Sequence, residues 1–148
     1  MEQIVNEIHK PARRNFKRRH VILKGISDLF QADLVDVKAY SRENKGFKYI
    51  LTIINVFSKF AWAIALKSKS GKDVAEAFAS ILKNHNPPDN LQVDQGTEFY
   101  NSNFKSLMKK YKINMYSTHS VLKASVIERF NRTLKGKMWK MFSLRGNY

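Results

Sequence analysis

Apolar and polar positions change period several times along this chain, and each change marks an element. From Leu29 to Lys38, Ala32, Leu34 and Val35 are apolar around two acids, which reads as a strand. The polar stretch Ser41 to Gly46 turns the chain. Tyr49 to Phe57 is almost wholly apolar and rich in Ile, as expected of a strand buried on both faces. Ser58-Lys59 makes a short turn and Phe60 to Leu66 returns, so the first three strands are expected to form an antiparallel meander. Lys72 to Leu82 then places Val74, Ala75, Phe78 and Leu82 at helical spacing, with Asp73 and Glu76 near the positive end of the helix. Prolines and asparagines from Asn84 to Pro88 stop it. Leu91 to Asp94 is a short strand running into Gly96, and Phe104, Leu107, Met108 and Tyr111 share one face of a second helix. Ile113 to Tyr116 is a fifth strand, and Ile127, Phe130, Leu134, Met138 and Met141 stripe a long last helix. The predicted order β-β-β-α-β-α-β-α is that of an α/β layer protein with a mixed five-stranded sheet flanked by helices.

Composition adds one domain and one partner class. The 148 residues suffice for a single core. A net charge of +15 attracts polyanions, nucleic acid above all. No apolar run approaches the roughly 20 residues of a spanning helix, so no membrane partner is expected. The N-terminus lacks the order of a signal peptide. With no cysteine there is neither a disulfide nor a Cys-containing zinc site, and His9, His20, His85 and His119 show no ligand spacing. The expectation is an intracellular protein. Residues 1–27 form a compositional zone of their own. Between Glu7 and Asp28 there is no acid, while Lys10, Arg13, Arg14, Lys17, Arg18, Arg19 and Lys24 are positive. Pro11 and poor periodicity predict an extended basic arm, read either as a solvated tail or as a phosphate-gripping segment that also serves nuclear localisation. Residues 28–148 would be the core.

The second half is as one-sided in charge. From Tyr100 to Tyr148 the chain has 11 Lys or Arg residues and a single acid, Glu128. Two earlier acids invite grouping with it: Asp33 in the first strand and Asp94 at the end of the fourth. Carboxylates brought together from strand ends and a helix face cannot all ionise without compensating cations. Such hard oxygen donors suit Mg²⁺ or Mn²⁺, and two ions about 4 Å apart serve phosphodiester displacement. Each acid also has a plainer reading. Asp94-Gln95-Gly96 is a good turn, and Glu128 can pair with Arg132 one helical turn on. Asp36 competes with Asp33, the two lying on opposite strand faces.

Three phrases in order resemble the retroviral-type integrase catalytic core: Gln31-Ala32-Asp33, Val93-Asp94-Gln95-Gly96-Thr97-Glu98-Phe99, and Val126-Ile127-Glu128-Arg129-Phe130-Asn131-Arg132-Thr133-Leu134-Lys135. The resemblance runs from about Leu29 to Met141, and 33 residues separate Asp94 from Glu128, close to the family's spacing. The phrases around Gln31–Asp36, Val56–Trp62 and Lys123–Arg132 look most like integrases of self-synthesising Maverick/Polinton DNA transposons. The resemblance implies a ribonuclease H-like fold and selects Asp33 over Asp36. It implies that Asp33, Asp94 and Glu128 are the catalytic acids and hold two Mg²⁺ or Mn²⁺ ions. It further implies a polynucleotidyl transferase acting on element ends and target DNA, working as a homo-oligomer in the nucleus. Arg132 and Lys135, one and two turns beyond Glu128, would touch DNA, with Asn131 and Lys123 of the same motif and the arm residues Arg13, Arg14, Lys17, Arg18 and Arg19.

The chain departs from the family pattern in places. Ser125 stands where many integrases have Gly, Asn55 where many have Asp, and Phe30 where Trp is usual. Family cores carry two further helices after the Glu-bearing one, so the C-terminal helices are expected to be missing and the core to be a fragment. That leaves a DNA-binding remnant without catalysis as the main alternative. A ribonuclease H-type hydrolase, with Asp36 or Glu98 as fourth acid, ranks third.

Overall fold

The computed structural model describes residues 2–9, 22–117 and 124–146. Strands β1 (Leu29–Asp36), β2 (Tyr49–Asn55) and β3 (Ala61–Leu66) form the expected antiparallel meander. β4 (Asn90–Gln92) joins the free edge of β1 in parallel, and β5 (Asn114–Tyr116) adds in parallel to β4. The sheet is therefore mixed, in the order β3-β2-β1-β4-β5. Helices α2 (Gly71–Leu82), α3 (Ser102–Tyr111) and α4 (Ser125–Arg145) follow the predicted order.

Strand alternation sorts the two faces of the sheet. Phe30, Ala32, Leu51, Ile53, Leu91 and Val93 enter one core with Val74 and Phe78 of α2 and Phe104 and Met108 of α3. The alternate residues of β1 and β2, including Gln31, Asp33, Val35 and Thr52, face the other way, where α4 packs on both strands. Each helix of the first face has a local start signal. Ser70 Oγ accepts from Asp73 N at 3.2 Å, and Asn101 Oδ1 accepts from Phe104 N at 3.0 Å. α4 has none, because its N-cap residue is Ala124.

Three local expectations are corrected. Glu2–Ile8 form a helix, α1, with Val5 buried against α4, where an extended arm was expected. Arg13, Arg14, Lys17, Arg18 and Arg19 of that arm lie outside the described residues, as does Lys123. β1 stops at Asp36, because the Asp36 carboxylate accepts from Lys38 N at 2.9 Å and turns the chain into a short 3-10 segment. Met141, assigned to the apolar stripe of α4, is exposed. Trp139 and Phe142 turn inward instead and meet Tyr40, with ring centroids 5.1 and 6.1 Å away.

Candidate functional site

The parallel pairing of β1 with β4 sets Phe30 opposite Leu91 and Gln31 opposite Gln92. Asp33 and Asp94 each lie two residues beyond the last paired residues, Gln31 and Gln92. Asp33 is half-buried and faces α4, its Oδ1 accepting from Leu34 N at 2.8 Å. Asp94 is exposed just past the end of β4, its Oδ1 accepting from Gly96 N at 3.2 Å. The turn foreseen at Asp94-Gln95-Gly96 therefore forms, and it presents the carboxylate at the strand's C-terminal end. The Glu98 carboxylate lies against Gly96, where a Cβ would displace it. Beyond it, Asn101 Nδ2 donates to Thr97 O at 3.1 Å and Glu98 O at 2.8 Å, fastening the loop to the start of α3.

Asp33 and Asp36 pack differently. Asp36 ends β1 on the opposite face, exposed, with its carboxylate 3.2 Å from Lys38 Nζ. Its bond from the Lys38 amide holds its carboxyl below the usual value. Asp33 is the one that looks toward α4.

α4 lies along β1 in matched steps. Ile127 N donates to Gln31 Oε1 at 2.9 Å, and four residues on Asn131 Nδ2 donates to Asp33 Oδ2 at 2.7 Å. Four helical residues advance about 6 Å and two strand residues about 6.6 Å, so helix and strand stay in step across both bonds. Glu128 therefore stands on the first turn of α4 beside the Gln31 contact. It is exposed, and no ion pair joins it to Arg132 among the described residues. Arg132 and Lys135 are exposed on the same side of the helix as Glu128.

Asn131 is not on that outward side. It is buried at 5% exposure, its Nδ2 on Asp33 and its Oδ1 without a partner among the described residues. Asn131 falls four residues after Ile127, on the buried stripe, so helical period marks it as facing the sheet. Gln31 was not singled out from the sequence, although a buried amide between apolar strand neighbours and two before the acid is a legible signal.

The three acids thus sit on adjoining elements and offer only carboxylate oxygen, the donor chemistry of a hard divalent ion. Their side chains are not drawn together. Among the described residues, no three acidic or histidine groups stand close enough to hold one ion. No described helix is long and apolar enough to cross a membrane.

Comparison with known proteins agrees with this layout. The profile of the family described as integrase core domain matches residues 28–120, a span that includes Asp33 and Asp94. A transposon-derived protein of Caenorhabditis elegans is 37% identical over 109 residues, covering 73% of this chain and 38% of that protein. The retrovirus-related Pol polyprotein from transposon 412 of Drosophila melanogaster is 38% identical over 96 residues, covering 63% of this chain and 8% of the polyprotein. The chain thus spans well under half the length of these relatives. Among solved structures, one chain of the simian T-cell lymphotropic virus intasome, in complex with the PP2A regulatory subunit B56 gamma, superposes with a TM-score of 0.72. It is 17% identical, with 93% of this chain and 49% of that one covered. The HTLV-2 integrase catalytic core domain in complex with magnesium gives a TM-score of 0.68 at 18% identity, covering 86% of this chain and 79% of that one. These superpositions establish the ribonuclease H-like fold.

Proposed function

The chain belongs to the integrase core domain family, and from that premise we propose that it is the catalytic core of a transposon integrase, a metal-dependent polynucleotidyl transferase acting on DNA. The observation that supports this reading is the pairing of Gln31 with Gln92, two residues before Asp33 and Asp94, together with the bond from Ile127, the neighbour of Glu128, to the same Gln31. Asp33, Asp94 and Glu128 would hold Mg²⁺ or Mn²⁺, two ions in the full reading. Bound there, the metal would neutralise charge on the scissile phosphate and favour attack by water or a DNA 3′-OH.

The chain's own residues prepare that chemistry. Asn131 fixes one oxygen of Asp33, and the Asp94–Gly96 turn fixes the approach of Asp94. Arg132 and Lys135 are placed to hold the DNA backbone by its phosphates, a sequence-independent grip. The transposon-derived relatives support an origin in a mobile element, and the motif phrases favour the Maverick/Polinton type. A nuclear site of action, an oligomeric assembly and DNA contacts from the basic arm and Lys123 belong to the same proposal.

Asp94→Asn is expected to abolish Mg²⁺-dependent strand transfer while leaving DNA affinity within about twofold of wild type. Undiminished transfer by that variant would sink the assignment. A second reading has one observation in its favour, the separation of the three acids. On that reading the chain binds DNA without cutting it. DNA binding that survives EDTA, with no cleavage in either Mg²⁺ or Mn²⁺, would select it.

A further inference from the structure

α4 starts without a local cap. Ala124 occupies the N-cap position and provides no side-chain hydrogen bond, so the first amides of the helix need acceptors from elsewhere. The amide of Ile127 finds one in Gln31 Oε1, at 2.9 Å and 96 residues away in sequence. The other end of the same carboxamide is also engaged, Gln31 Nε2 donating to Gln92 Oε1 at 2.8 Å. Both glutamines are buried, Gln31 at 2% exposure and Gln92 at 6%. The carboxamide has only one workable orientation, since a flip would set its NH₂ against the Ile127 N–H.

One side chain of β1 therefore bonds to both of the other acid-bearing elements, and each candidate acid lies at a short, fixed offset from the junction. Asp33 is two residues beyond Gln31, Asp94 two beyond Gln92, and Glu128 one beyond Ile127. Apolar contact under Ile127 excludes water but resists axial sliding of a helix on a sheet only weakly, because that attraction is non-directional. Directional bonds at both ends of one planar group do resist it.

The geometry points to Gln31 as a positioning residue that sets the mutual placement of Asp33, Asp94 and Glu128. This rests on the proposed reading of those acids. Gln31 touches neither DNA nor metal in this role; it ties β4 and α4 to β1. Misplacement of a reacting group by about 1 Å can cost about 10²-fold in rate.

The test uses the full chain with two variants. Gln31→Met keeps length and removes both bonds. Gln31→Met/Gln92→Met also removes the amide oxygen that accepts from Gln31, as a second variant should the single one be unstable. Two readouts are followed: hydrogen exchange of backbone amides by NMR, and Mn²⁺ affinity by EPR. In both variants the Ile127 amide should exchange at least about tenfold faster while the β2–β3 ladder keeps its protection. Mn²⁺ affinity should fall about 10–100-fold, the usual effect of losing a residue that orients a ligand, with DNA affinity unchanged. Unchanged Ile127 protection would overturn the inference, and so would loss of Mn²⁺ affinity only in proportion to a fall in global stability. Wild-type protein that binds no Mn²⁺ would refute the metal reading instead. The tie is then judged on exchange alone: loosening confined to 124–131 upholds it, and unchanged protection overturns it.

Discussion

Replacing Asn131 by Asp changes one group, NH₂ to O, at the most constrained contact of the site. The Asn131 amide donates to Asp33 Oδ2 at 2.7 Å from a position only 5% exposed. A hydrogen bond to a charged group contributes about 1.5–3 kcal/mol, and the substitution both removes it and sets two carboxylates together away from bulk water. With Asp33 itself half-buried, some of that repulsion is screened, and a net loss of about 3 kcal/mol at pH 7 is expected. For a chain of this size, that lowers Tm by about 6–12 °C. Asn131→Leu has a different balance. It loses the same bond but also removes the buried Oδ1 that has no partner among the described residues. Those contributions are of similar size and opposite sign, so Asn131→Leu should lie within about 1 kcal/mol of wild type.

The pH dependence separates the mechanisms further. As pH falls, the carboxyl introduced by Asn131→Asp takes up a proton in the folded state and regains an O–H donor toward Asp33. The folded variant then binds more protons than its unfolded chain, so its deficit is largest at neutral pH and narrows toward pH 5. Urea denaturation at pH 7 and pH 5 measures both effects. Exchanging the partners in Asp33→Asn/Asn131→Asp restores one donor facing one acceptor and should recover about half of the loss. An Asn131→Asp protein as stable as wild type at pH 7, or a deficit that does not change with pH, would refute the argument.

Three other outcomes follow from the packing. Gly71→Ala should destabilise by about 1–3 kcal/mol in thermal denaturation, because the added Cβ would overlap the Asn101 carboxamide that caps α3 and holds Thr97 and Glu98. Asn55→Asp should cost about 1–3 kcal/mol by the same measurement. Its Nδ2 donates to Ile26 O at 2.8 Å, a bond no carboxylate can make, while Oδ1 accepts from Phe57 N at 3.0 Å and Ser58 N at 3.1 Å. Arg132→Ala and Lys135→Ala should each weaken DNA binding uniformly across sequences. Each should also lower the slope of log K against log salt by about 1, read from a fluorescence titration; an unchanged slope would remove that residue from the DNA contact.

The Asn55 contacts explain a departure that sequence comparison leaves as an oddity. Where the family resemblance leads one to expect Asp, this chain needs a group that donates as well as accepts, and only the position of Ile26 in space makes that need visible. The N-terminal helix was illegible for a related reason. Seven residues are too short to hold a helix by propensity, and α1 persists through packing of Val5 on α4, a contact between distant parts of the chain. The apolar stripe of α4 was legible as far as Met138. Near its end, the aromatic partner Tyr40 selected Trp139 and Phe142 over Met141.

Periodicity by itself determined the element order from β1 to α4 and most of the helix faces, because burying apolar groups imposes the period of strand or helix on the sequence that does it. The three motif phrases named Asp33, Asp94 and Glu128 and the family that uses them. Tertiary structure alone decided how those acids stand to one another. Parallel pairing of β4 against β1 sets Gln31 opposite Gln92, two residues before Asp33 and Asp94, and α4 is kept in step by Gln31 and Asn131. Strand register and hydrogen bonds across 96 and 98 residues of sequence leave no periodic trace, because each depends on where two remote segments meet.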